Sequence, residues 1–182
     1  MNEKFDYIKK RLNTMQSGRG TWEDHWQEIL DYVMPRKADI VTKRTKGEKR
    51  AEVLFDSTAI TASNLLSASL QGTLTSPSMQ WFYLKLREKE LNEIRDVQLW
   101  LEDSAKRMYD VFNESNFNTE VHEMYLDMVT MGTASLFVEE GRGGFDEAGV
   151  HFNTLHISEY YIQENTSGYV DTVYRKYKLT AR

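Results

Sequence analysis

Ser135-Leu136-Phe137-Val138, then Gly141-Arg142-Gly143-Gly144, then Val150-His151-Phe152-Asn153-Thr154-Leu155-His156-Ile157 reads as two apolar runs folded back around a glycine turn. Branched and aromatic residues suit a pleated, half-buried surface, and glycines supply the reversal between the runs. A second turn signal stands at Asn165-Thr166-Ser167-Gly168. After it, Val170, Thr172, Tyr174, Lys176 and Lys178 alternate with Val173, Tyr177 and Leu179, the period of a further strand over 169–179. The C-terminal part is therefore expected to be antiparallel β.

Most of what precedes Ala134 carries the helical period. Phe5, Ile8, Leu12 and Met15 recur at three and four until Ser17-Gly18-Arg19-Gly20 ends the first helix. Thr21 with Asp24 resembles a capping box ahead of the stripe Trp22, Trp26, Ile29, Leu30 and Val33, and Pro35 stops this second helix. Asp56 or Ser57 is expected to cap a helix to about Thr75, with the mostly small face Ala59, Ala62, Ser63, Leu66, Leu70 and Thr73. Ser76-Pro77-Ser78 breaks it, and Trp81 to Leu86 has the aromatic character of a strand. Ile94, Val97, Leu101, Ala105, Met108 and Phe112 predict a helix over 90–114; Asn118 is read as the cap of another, with Val121, Met124, Tyr125, Met128, Val129 and Gly132 on one face. Helices first and antiparallel strands later predict an α+β fold, not a doubly wound parallel sheet. Three parts are expected: an N-terminal helical arm over 1–35, a basic exposed loop over 36–54, and an α+β core over 55–182.

The chain of 182 residues, 40% apolar and 28% charged, is long enough for one substantial core. No window approaches a membrane span and the start lacks the layout of a secretory signal, so neither insertion nor export is expected. Zero cysteines exclude disulfides, thiolate metal sites and a cysteine nucleophile, and fit a reducing compartment. The net charge of -5 is unevenly spread: residues 1–50 hold 12 Lys/Arg against 8 Asp/Glu, whereas 88–147 holds 5 against 15. Within the first part, Arg36, Lys37, Lys43, Arg44, Lys46, Lys49 and Arg50 face only Asp39 and Glu48. Such a cluster suits sequence-neutral contact with DNA phosphates, or docking on an acidic surface of another subunit.

Catalytic patterns are missing from the sequence. There is no G-x-S-x-G elbow, no phosphate loop of the G-x-x-x-x-G-K type and no H-E-x-x-H. His151 and His156 are five apart on an expected strand, which puts them on opposite faces and unable to share a metal. His25 and His122 are lone helical residues read as surface or partly satisfied side chains. The glycines at 141–144 read as turn chemistry and not as a phosphate cradle, because no helix start follows them. Glu139, Glu140, Asp146 and Glu147 flank the turn and seed a metal-dependent hydrolase reading, against that of a solvated hairpin tip. No enzyme activity, cofactor or metal site is expected.

Taken in order, several segments resemble one family. Trp22, Ile29, Tyr32-Val33-Met34-Pro35-Arg36, Asp56-Ser57-Thr58-Ala59, the stretch from Leu70 to Pro77, Trp81-Phe82, Trp100-Leu101, Ser115-Asn116-Phe117, Gly132-Thr133-Ala134 and Asn165 to Arg175 are similar to the portal proteins of short-tailed phages, the head-to-tail connectors. The resemblance runs from about Thr21 to Thr180. It implies a homo-oligomeric ring, usually dodecameric, at one capsid vertex of the virion, assembled in the host cytoplasm. Genomic double-stranded DNA would pass through it non-specifically, driven by a separate terminase, with scaffold, capsid and tail adaptor proteins as partners. Family members are far longer, with stem, clip and crown beyond the point where this chain ends, so the chain is expected to be a truncated, wing-like part. Trp22, Trp81 and Trp100, with Pro35, Gly72, Pro77 and Gly132, are then expected to be structural. The competing reading is a stand-alone DNA-binding module using residues 36–50.

Overall fold

The computed structural model describes residues 3–45, 47–50, 52–141 and 149–179. Among them are five α-helices, α1 (Glu3–Gly18), α2 (Gly20–Val33), α3 (Thr58–Leu74), α4 (Arg95–Glu114) and α5 (Phe117–Met131). Two antiparallel ladders follow, β1 (Leu136–Glu140) with β2 (Val150–Thr154), and β3 (Tyr160–Glu164) with β4 (Val170–Arg175). This is the expected α+β order. The chain groups into two compact units. One holds residues 1–63, 127–135 and 155–182; the other holds 64–126 and 136–154.

In the second unit the core is aromatic. Phe117, Val121 and Tyr125 of α5 bury with Phe152 of β2, and Leu70, Trp81, Phe112, Met124, Leu136 and Val150 pack around them. Trp81 stacks on Phe112 and Phe117, each at 6.1 Å between ring centroids, and Phe117 meets Phe152 edge-on at 5.1 Å. The β1–β2 ladder pairs Leu136 with Thr154 and Glu140 with Val150. Asn116 fastens β2 to the start of α5, donating to Phe152 C=O at 2.7 Å and accepting its N–H at 2.9 Å. At the open end of the ladder the Gly141 amide donates to Gly149 C=O, and a Cβ on Gly141 would come within 3.0 Å of the Gly149 carbonyl carbon. A side chain there would need the Gly149–Val150 main chain to give by a few tenths of an ångström. The expected turn residues Arg142, Gly143 and Gly144, with Asp146 and Glu147, lie outside the described residues.

In the first unit, Leu30, Met34, Ala38, Ile40, Ile157, Tyr160 and Tyr161 are buried. Arg11 of α1 binds the β3–β4 ladder through Gln163 Oε1 and Thr172 Oγ1, both at 3.0 Å. The ladder carries a bulge between Gln163 and Glu164, which leaves Asp171 as the extra residue.

Several local expectations need correction. Thr21 does not cap α2: the helix starts at Gly20, with Arg19 as N-cap and no side-chain cap bond. Asn118 lies inside α5, and it is Ser115 Oγ that accepts the Phe117 amide at 3.2 Å. Asp56 does cap α3, accepting from the Thr58 hydroxyl at 3.0 Å and amide at 3.1 Å, bonds that hold its carboxyl below the usual carboxylate range. The helix expected over 90–114 is a 3-10 turn (Glu90–Glu93) followed, after the extended residue Ile94, by α4. Residues 81–86 form no strand. Their main chain is satisfied by side chains instead, Trp81 N–H by the Tyr109 hydroxyl and Leu86 N–H by Asn92 Oδ1. Finally, β2 stops at Thr154, and Tyr160–Glu164, unread in the sequence, forms the partner of β4.

Candidate functional site

The basic segment begins where Pro35 ends α2 and opens a short 3-10 turn over Pro35–Lys37. It is tethered to the helix before it by one side chain. Gln27, itself buried, accepts the amides of Ile40, Val41 and Thr42 at 3.0–3.2 Å and donates to Ala38 C=O at 2.8 Å. Ala38 and Ile40 consequently point inward. The segment is a pinned strap, not a free tail.

Three of its cations are spent within the first unit. Lys37 Nζ meets the buried Asp127 at 2.5 Å, Arg44 bridges Asp31 at 3.1 Å and Ala38 C=O at 2.7 Å, and Arg50 meets Asp39 at 2.5 Å. Lys37 C=O also faces His156 Nε2 at 2.8 Å. Arg36, Lys43 and Lys49 are exposed, and Lys46 lies outside the described residues. The Thr45 amide and hydroxyl both donate to Glu48, at 2.8 and 3.0 Å, and these bonds, the amide first, hold the Glu48 carboxyl below its ordinary range. A cation paired with its own carboxylate must give up that pair before it can neutralise a phosphate and release the counterion condensed there. The strap therefore offers DNA less charge than its composition suggests.

A cleft of about 810 Å³ in the same unit is lined by residues of α1, α2 and β3 with the end of α5. Arg19, in the turn read only as a helix stop, organises it. Its guanidinium pairs with Glu23 at 2.8 Å, donates to Tyr160 C=O at 2.5 Å and Ile157 C=O at 3.1 Å, and lies 4.1 Å over the Tyr161 ring. Trp22 and Trp26, 6.0 Å apart, contribute aromatic wall, and Trp22 remains 59% exposed. Burial pushes the Tyr160 phenol above its ordinary pKa, against the hydrogen bond it makes with Thr133. With Arg19 and Arg11 already engaged, the cleft is suited to an apolar or aromatic side chain and not to an anion.

The other residues singled out in the sequence are scattered. Trp81 is half-buried in the aromatic core; Trp100 is 62% exposed on α4; Gly72 and Pro77 are exposed; Gly132 ends α5 with φ +72, its amide on Met128 C=O. His151 belongs to β2 and His156 to the segment after it, and His122 faces Gln71 Oε1 at 3.0 Å. Glu139 and Glu140 lie on β1, Glu139 opposite His151. Among the described residues no three His, Asp or Glu side chains gather as a metal site, and no helix is long and apolar enough to cross a membrane.

The family model for the bacteriophage head to tail connecting protein matches residues 6–182. Among curated proteins, the chain is similar to the "Probable portal protein" of Bordetella phage BPP-1, 35% identical over 95% of this chain and 31% of that protein. It is 29% identical to the "Portal protein" of Salmonella phage epsilon15 over 96% of this chain, again 31% of the relative. The chain thus spans under a third of the length of these curated relatives.

Proposed function

The chain belongs to the bacteriophage head to tail connecting proteins, and from that premise we propose that it forms the wing-like part of a portal ring. In this reading the subunits, taken as a dodecamer, stand at one vertex of the virion, and genomic DNA is packaged and ejected through them. The role is structural: a terminase supplies the work, and scaffold, capsid and tail adaptor proteins dock on the ring during assembly in the host cytoplasm. The observation that carries the reading is the family match over nearly the whole chain. Within it, residues 1–35 serve as an arm, 36–54 as a basic strap and 55–182 as the wing core.

The test is solution mass by light scattering with negative-stain imaging of the intact subunit. Rings are expected. Monomers that bind duplex DNA with steep salt dependence would overturn the reading in favour of a DNA-binding module, which the internal pairing of Lys37, Arg44 and Arg50 already weakens.

A further inference from the structure

Helix α3 is inside out. A surface helix ordinarily turns its leucines to the core and its serines to water. Here the two buried residues are Ser63 and Ser67, while Leu65 is 68% and Leu66 51% exposed. The inward contacts within the second unit are largely polar. Ser67 Oγ donates to His122 C=O at 3.2 Å, and Gln71 Nε2 donates to Asn118 C=O at 2.8 Å while its Oε1 faces His122. Leu70 alone of this stretch reaches the aromatic core. Leu74, the last residue of the helix, is 53% exposed, and Met79 after it 66%. Gly72, Ala68, Ser69 and Thr73 keep the ridge low between them, so that a partner's backbone can come close.

The same stretch lacks charge. From Ser57 to Leu84 there is no Asp, Glu, Lys or Arg, in a chain that is 28% charged. Water is the wrong final environment for such a face, and a DNA backbone is the wrong partner, since nothing there can neutralise a phosphate. A second copy of this chain fits. Each copy carries a net charge of -5, so a neighbouring copy is seated at least cost on a patch that contributes no carboxylate of its own, and the cores of protein interfaces are depleted of charge. A ring closes through heterologous contacts, in which one patch of each subunit seats on a different patch of the next.

We infer that the outward face of α3, centred on Leu65, Leu66 and Ser69, is the seat of the neighbouring subunit. This rests on the ring reading above and names the surface that would make the ring. Two variants of the intact subunit test it. Ser69→Cys introduces a thiol into a stretch that has no cysteine, and maleimide labelling at that position, mapped by mass spectrometry, should be at least tenfold slower in assembled rings than in dissociated monomers. Leu65→Glu with Leu66→Glu should abolish rings while leaving the circular dichroism spectrum and Tm of the monomer unchanged, because both side chains are exposed there. Equal labelling rates in ring and monomer, or normal rings from the double variant, would overturn this inference and leave the ring reading standing. Protection already present in the monomer would overturn it too, showing that the subunit covers its own helix. A wild-type subunit that never forms rings sinks both.

Discussion

Gln27 stands one turn before Leu30 in the apolar stripe of α2, where its polarity looks like a blemish in the amphipathic pattern. Its single amide instead closes the 38–42 segment, with one oxygen shared by three main-chain N–H groups. That role depends on where residues eleven to fifteen positions later return, and helical periodicity carries no such information. The same holds for Lys37, whose partner Asp127 lies ninety residues away and is 1% exposed. A cluster of cations is legible as composition, but the carboxylates that neutralise them are not. Replacing Gln27 by Ala leaves the buried Ile40 amide, and the part-buried ones of Val41 and Thr42, without this acceptor, at roughly 1–3 kcal/mol for such a loss. The expected result is a denaturant midpoint lowered by that amount, with new proteolytic cuts confined to residues 38–50. A variant that resists protease there as the parent does would show that the ion pairs of Arg44 and Arg50 hold the strap unaided.

At the scale of elements, the helices were legible wherever an apolar stripe had a core to meet. Leu101 and Ala105 of α4 and Val121 and Tyr125 of α5 are buried as their spacing demands. The first hairpin was legible from its glycines and alternation. Residues 81–86 were not, because an aromatic run reports burial and says nothing about what satisfies its backbone. A tyrosine hydroxyl and an asparagine amide substitute for the missing strand. Strand β3 is hidden for the opposite reason, since Tyr160-Tyr161-Ile162 directly follows a run that itself carries the pattern of a hairpin. The spacing in α3 predicts Leu66 on its packing face, and the structure turns that residue outward; the long uncharged stretch around it is the available signal. The aromatic core gives the segment before α4 its anchor. Trp81→Ala removes two stacked and two edge-on ring contacts, and the expected loss is about 3 kcal/mol, the lower end for truncating a large aromatic because Trp81 is only half-buried. Thermal unfolding checks it: an unchanged Tm would mean that the 81–86 segment contributes nothing to the stability of the second unit.

For the molecule as a whole, the family was legible from short segments in the right order, each uninformative alone, whereas the charge that the 36–50 segment has left for a phosphate was not. Composition gives seven cations over 36–50, and counterion release would then set a slope of roughly -6 for log K against log salt, at about 0.9 per phosphate contact on duplex DNA. Structure removes three of the seven by pairing them with Asp127, Asp31 and Asp39. With the other four as an upper bound, the slope is roughly -4 or shallower. In the proposed ring, through which DNA would slide, the weaker figure serves better, because strong phosphate pairing at each subunit would be multiplied around the ring and would hold the duplex in place. Duplex affinity measured from 50 to 200 mM salt separates the two cases. A slope near -4 or below in magnitude, made shallower by about 2 in Lys43→Gln with Lys49→Gln, is the expected outcome. A slope near -6 that collapses when Arg44 and Arg50 are neutralised would mean that DNA pulls those side chains from their carboxylates, making the strap a binding element in its own right.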